Sequence, residues 1–285
     1  MTQSTTDAAA TPAVATAGGV KNVLSIAGSD PSAGAGVQAD LKAIAANGGY
    51  GMAALTALTA QNTRGVAGVH LVPPDFVRAQ ILTVFEDVRV DAVKIGMIAT
   101  AGIARAVAAA LREVGAPNVV LDPVMVASSG DRLLAEDAVE AVRSELAPLA
   151  TAITPNLPEG AVLLDAEEPR DRAAMAAMAQ ALLALGPKAV LLKGGHLTTA
   201  ESPDVLATAA GLSWFEGDRS PGRPIHGGGC TLSSTLATQL ARRDGDIEAA
   251  TRAAKAYVAG AIASADDLEV GAGARPLNHF HALWR

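Results

Sequence analysis

One cysteine, Cys230, stands directly behind three glycines, Gly227, Gly228 and Gly229, in the stretch PIHGGGCTLSST. Leu232, Leu236 and Leu240 then recur every four residues, which predicts an amphipathic helix over 230–243. The first N–H groups of a helix have no intrahelical partner and lie at the positive end of its dipole. Glycines just ahead of them add N–H groups with no side chain in the way. Together they make an anion hole suited to a phosphoryl group in flight. A thiol at this position would have its pKa lowered, bringing thiolate within reach of neutral pH. The same residues also fit a small, buried apolar side chain in a first helical turn. This is not a Walker A loop, since no Gly-Lys-Ser/Thr follows, and it lies too late in the chain for a dinucleotide fingerprint.

Other chemistry-bearing residues follow short apolar runs. In open parallel sheets ligands bind outside the carboxyl ends of the strands, so these positions matter. AGSDPSAGAGVQAD puts glycines between a strand and a helix, where backbone N–H groups can meet an anion; a tight turn capped by Asp30 or Ser32 fits equally. Asp40, further along that helix, reads as an exposed helical carboxylate or a ligand contact. Gln61 and Asn62 end one strand, Gly96 and Met97 another. TPNLPE is a capping box with Asn156 as N-cap and Glu159 three residues on. It also leaves a carboxylate where a magnesium–water shell beside phosphates could sit, and Asp122 fits either that role or a turn cap. LLKGGH sets Lys193 at a strand end, placed to neutralise phosphate, with His196 read as structural.

The elements that must position these residues alternate. Short apolar runs at 22–27, 52–60, 90–96, 118–122, 151–154 and 188–193 are separated by longer alanine-rich amphipathic segments. That rhythm predicts a mostly parallel sheet covered by helices on both faces. Residues 204–217 carry two strand patterns flanking Ala210-Gly211, an antiparallel hairpin at the sheet's edge. The division expected is an extension over 1–20, small and polar, and one domain over 21–285.

Composition sets the bounds. Half the residues are hydrophobic, enough for a large core. A net charge of −7 argues against a nucleic-acid surface, though not against a bound nucleotide. A single cysteine excludes an intramolecular disulfide and fits a reducing cytoplasm. The N-terminus has no cationic start with an apolar run behind it, and no later run reaches membrane-spanning length. A soluble, cytoplasmic protein without a membrane partner is expected.

In this order, IAGSDPSAGAGVQADLKA, TALTAQNTRGV, KIGM, LDPVMVASSG, ITPNLPE, KGGH, HGGGCTLSS and LEVGAGARPLNHFHALW resemble the hydroxymethylpyrimidine/phosphomethylpyrimidine kinases of thiamine biosynthesis, in the ribokinase-like superfamily. The resemblance implies a three-layer α/β/α fold with a small antiparallel edge and a homodimer. It implies Mg2+-dependent transfer from ATP to 4-amino-5-hydroxymethyl-2-methylpyrimidine, giving the monophosphate and then the diphosphate. Asp40 and Gln61 match residues around the pyrimidine, with Gly28, Ala35 and Met97 lining its pocket. Asn156 and Glu159 match the magnesium–phosphate motif, Lys193 a lysine near the phosphates, and Cys230 the position of the sugar kinases' catalytic aspartate. As the base for the hydroxyl, Cys230 would matter more to the first transfer than to the second. Two positions depart from the family pattern. Gly228 replaces a threonine of the phosphate loop, and Ala33 replaces a glycine, a change tolerated if its φ is negative. A pyridoxal kinase and a non-catalytic pyrimidine sensor are the competing readings.

Overall fold

The computed structural model describes residues 19–125, 136–197, 201–217, 219 and 223–284. Residues 1–18 of the expected extension, and 126–130 of LDPVMVASSG, lie outside the described residues.

The chain opens with β1 (Lys21–Ser29), α1 (Gly36–Ala46), β2 (Gly49–Asn62), β3 (Gly65–Leu71) and α2 (Pro74–Asp87). It continues through β4 (Ala92–Ile95), α3 (Ala101–Val114), β5 (Val119–Leu121), α4 (Glu136–Ala141), β6 (Ala152–Ile153) and α5 (Leu157–Leu164). Then come α6 (Arg172–Leu183), β7 (Ala189–Leu192), β8 (Asp204–Thr208), β9 (Gly211–Phe215), β10 (Ile225–His226), α7 (Gly228–Arg242), α8 (Ile247–Ala263) and β11 (Arg275–Pro276).

Among the described residues, nine strands form one sheet in the order β3-β2-β1-β4-β5-β6-β7-β8-β9. The run from β2 to β7 is parallel. The continuous apolar runs follow from burial on both faces. Val23, Ala92, Val120, Ala152 and Leu191 pack with Ile44 of α1, Leu236 and Leu240 of α7, and Ala250 of α8. Their strand neighbours Leu24, Val93, Leu121 and Val190 point the other way, toward α2, α3, α5 and α6. The result is the expected three-layer α/β/α architecture.

Three expectations change. The antiparallel hairpin β8–β9 is present, but β3 adds a second antiparallel edge at the opposite end, paired with β2. GVAGVHL escapes sequence reading because most of the strand is exposed and carries two glycines, so no buried period of two is visible. Helix α7 begins at Gly228, two residues earlier than its leucine period suggests, because Gly228 and Gly229 take helical backbone despite their poor propensity. Asp40 is fully buried, against its reading as an exposed carboxylate.

Chain order reverses at β1, whose neighbours are β2 on one side and β4 on the other. The crevice at such a switch point is where α/β sheets bind ligands. The turn after β1 lines it, and there Ala33 has φ +62°. The condition for tolerating alanine is therefore not met, since its Cβ crowds the backbone in the left-handed region. Ala33→Gly is expected to stabilise the fold by about 1 kcal/mol. Urea denaturation checks this: the midpoint should rise with an unchanged slope.

Candidate active site

The ends of β5, β6 and β7 and the start of α7 converge at the carboxyl edge of the sheet. Asp122, just past β5, is buried and accepts hydrogen bonds from Lys193 Nζ at 3.0 Å and Thr154 Oγ1 at 3.0 Å. Lys193 follows β7, where its N–H donates to Pro155 O and a bridge to Asn156 extends the β6–β7 pairing. Glu159 lies 3.9 Å from the Lys193 ammonium. The capping box is present: Glu159 N–H donates to Asn156 Oδ1 and Asn156 N–H to Glu159 Oε2, each at 2.8 Å. The box thus fixes the carboxylate it was expected to hold. Burial pushes the Glu159 carboxyl up to about 7, with Lys193 opposing and Asp122 reinforcing. Burial works against the Lys193 charge, but Asp122 and Glu159 outweigh it and raise the ammonium's pKa. The cluster holds one firm cation between two carboxyls.

The glycine loop closes onto this cluster. A Cβ on Gly229 would lie 3.2 Å from Asp122 Oδ2 and 3.3 Å from Lys193 Nζ, whereas one on Gly228 would meet only Ile225 at 3.6 Å. Gly227 has φ +83°, and a side chain there would strike the carbonyl oxygen of Gly34. Gly227 and Gly229 are therefore fixed by geometry. Gly228 is not, and the threonine usual in the family pattern would fit.

At the end of β1, Gly28 packs against Met97, which is 8% exposed, and a Cβ at Gly28 would collide with the methionine's methyl group. Asp30 caps its own turn, accepting from Ser32 N–H and Oγ and from Ala35 N–H. Its other partner is His226, whose Nε2 lies 2.7 Å from Asp30 Oδ2. Burial pushes this carboxyl up, but His226, Ser32 and the Ala35 N–H more than offset it and hold it at about 2. Partly exposed Gln61, the penultimate residue of β2, has its Nε2 3.4 Å from the same imidazole nitrogen. His196 is exposed.

Residues 30–278 of this chain match the profile of a family described as phosphomethylpyrimidine kinase. The chain belongs to that family. It is 52% identical over 263 residues to the hydroxymethylpyrimidine/phosphomethylpyrimidine kinase of Salmonella typhimurium, covering 92% of this chain and 98% of that one. Among solved structures, the phosphomethylpyrimidine kinase of Clostridium difficile aligns with a TM-score of 0.76 at 39% identity, over 85% of this chain and 99% of that one. A pyridoxal kinase from Bacillus subtilis, as its ADP complex, aligns with a TM-score of 0.83 at 33% identity, over 92% and 98%. Both are enzymes of the ribokinase-like architecture described above.

Two readings of the sequence need correction. Asp40 cannot touch a substrate in this conformation. Both its oxygens bind Lys94, at 2.8 and 2.7 Å, and it also accepts from Ser25 Oγ and Ser234 Oγ. Lys94, wholly buried, was missed although its signal was legible: a lysine inside the apolar run VDAVKIG. Cys230 is the second correction. Burial pushes its thiol up; Lys94 and the Gly36 N–H pull it down, Asp40 and Asp122 push it up again, and it settles at about 11. Cys230 is only partly buried, yet desolvation and two nearby carboxyl groups outweigh the helix-start rule that predicts a low pKa. Sequence reading also missed Thr154, His226 and Asp204, which is buried and accepts from Gly194 N–H and Lys255 Nζ. Asp204 holds the first glycine after Lys193.

Two outcomes are expected. Because Cys230 is the only cysteine, alkylation by iodoacetamide reads this thiol alone, and its rate should keep rising with pH past 9 toward a midpoint near 11. A plateau by pH 8 would show a standing thiolate. Gly229→Ala should lower kcat on the order of 10-fold or more by displacing Asp122 and Lys193, whereas Gly228→Thr should leave kcat within about 3-fold of the parent.

Proposed function

We propose that this chain transfers the γ-phosphoryl group of ATP to the hydroxymethyl oxygen of 4-amino-5-hydroxymethyl-2-methylpyrimidine, then phosphorylates that monophosphate to the diphosphate. The observation that carries this reading is the closure of the helix-start glycine loop onto Lys193 and Asp122, in a chain about half identical to enzymes of that name. In the first transfer an O–P bond forms at the acceptor, the bond between Pγ and the ADP oxygen breaks, and the hydroxyl proton passes to an oxygen of the transferred phosphoryl group and on to solvent. In the second, an oxygen of the bound monophosphate is the nucleophile.

Phosphoryl transfer depends mainly on positioning and electrostatics. Lys193 supplies a fixed positive charge for the transferring group, and the N–H groups at the start of α7 are the donors that would meet its oxygens. Gln61 offers both a donor and an acceptor to an aminopyrimidine edge. Gly28, Met97 and Ala35 shape the pocket that receives the ring. Asp122 and Glu159 are hard oxygen donors beside a phosphate site, a set that fits Mg2+ held through water. They do not form a ligand cage of their own: among the described residues no group of three or more acidic, His or Cys side chains is placed to hold a metal. Bound there with ATP, the ion would neutralise phosphate charge. With its thiol pKa raised, Cys230 is read as a group that shapes the anion hole and not as its base; its neighbours are the Gly36 N–H and Lys94.

A cytoplasmic location and the homodimer implied by the family likeness belong to the same proposal. Among the described residues no helix is long and apolar enough to cross a membrane. Sedimentation at twice the chain mass would support the dimer.

The test is incubation with Mg-ATP and either the hydroxymethylpyrimidine or pyridoxal, with products resolved by mass. Mono- and diphosphorylated pyrimidine are expected together. Pyridoxal phosphate with little pyrimidine product would move the chain to the reading its Bacillus neighbour suggests, and no product from either to a binding protein. Lys193→Ala should lower kcat for both transfers by about 10²–10³-fold, the size of effect seen when a fixed electrostatic donor is removed. Cys230→Ala should lower the two by similar, smaller factors, in contrast to the first-step bias that a thiolate base would give.

A further inference from the structure

His226 belongs to no step described so far, yet it sits where the two halves of the site meet. It is 5% exposed and immediately precedes the three glycines. Its Nε2 reaches Asp30 at 2.7 Å, and Asp30 in turn binds Ser32 and Ala35 of the turn after β1. The same nitrogen faces Gln61 at 3.4 Å. The edge of the ring packs where Gly34 has no side chain, and Gly227 packs against the Gly34 carbonyl. One turn further, the Gly36 N–H points at the Cys230 sulfur. The acceptor turn, 30–36, and the glycine loop, 226–230, therefore interlock at three successive points.

The imidazole is the polar member of that interlock. The 2.7 Å contact to the Asp30 carboxylate makes Nε2 the donor there, leaving no lone pair on it for the Gln61 amide. Gln61 is thus held close to the ring without a hydrogen bond to it; its Oε1 accepts from Thr59 Oγ1 at 3.2 Å, which leaves the Nε2 donors for an acceptor. Movement of Gln61 on acceptor binding would press on a ring that is tied to Asp30 and rigidly continuous with Gly227.

We propose that His226 is a positioning residue that couples occupancy of the acceptor pocket to the geometry of the glycine loop, so that the phosphate site tightens when the acceptor is present. The proposal rests on the kinase reading above. Coupling between two sites is reciprocal and commonly amounts to about 5-fold or more in affinity.

The experiment uses the full chain and calorimetric titration of Mg–AMP-PNP with and without the hydroxymethylpyrimidine. In the wild-type protein the pyrimidine should tighten nucleotide binding by about 5–10-fold. In His226→Phe, which keeps the ring and removes the nitrogen, this factor should fall to about 1 while nucleotide affinity alone stays within about 2-fold. A merely structural role would lower the melting temperature and weaken nucleotide binding with or without pyrimidine. Undiminished coupling in a natively melting His226→Phe protein overturns the proposal. Should that variant not fold, Asp30→Asn removes the charge that holds the ring; it is expected to weaken the coupling, and full coupling there overturns the proposal equally. A wild-type protein that binds the nucleotide but no pyrimidine refutes the kinase reading itself, whereas failure of the coupling role alone shows only in the variants.

Discussion

The buried pair Asp40–Lys94 is the constraint on which the site depends. Asp40 comes from α1, Lys94 from β4, Ser25 from β1 and Ser234 from α7, and all four meet at one carboxylate. Ser25 and Lys94 are also register partners across the β1–β4 pair, the two strands that flank the switch point. An ion pair wholly out of water gains little over an apolar pair of the same size, because desolvation offsets the attraction. Losing one partner, however, strands a charge and costs about 3–5 kcal/mol. The pair therefore acts less as a source of stability than as a condition on geometry: the two strands, α1 and α7 must meet in one arrangement. That arrangement sets the first turn of α7, and with it the anion hole.

Around this staple the site separates its charges by role. Lys193 is kept cationic by two carboxyls, and Asp30 is kept anionic by an imidazole and three donors of its own turn. Glu159, with its affinity for a proton raised into the neutral range, is the adjustable member. A second cation arriving with phosphate would favour its ionised form, since a nearby positive charge lowers a carboxyl pKa. Two charges of the site are thus held fixed, and the third, Glu159, is the one that a nearby cation would change.

The sheet was legible because burial on both faces writes itself as short apolar runs, and six of those runs correspond to β1, β2, β4, β5, β6 and β7. The capping box at Asn156 and Glu159 was legible because its bonds span three residues. What could not be read were pairings made at long range. His226 and Asp30 are 196 positions apart, and nothing local marks either as the other's partner. Asp40 was misread because a charged residue on an amphipathic helix is taken as solvated; the contrary sign lay in another segment, at Lys94. Cys230 was misread for a related reason. The dipole of α7 is a local property visible in the sequence, whereas burial and the fields of Asp40 and Asp122 arise only on folding.

The neutral thiol also suits the chemistry proposed for the site. At the position of Cys230 the sugar kinases' carboxylate would be a third negative charge beside Asp40 and Asp122, in a place where burial already disfavours ionisation. For an alcohol acceptor such a charge would serve as a base. For a phosphate monoester, negative before it reacts, it would repel the nucleophile from the position it must occupy. Proton removal contributes little when the transition state is loose, whereas the placement of charge contributes most of the catalysis. A group that stays uncharged until driven well above neutral pH gives up little in the first transfer and leaves room for the second. One pocket can then accept an alcohol and its own phosphorylated product in turn.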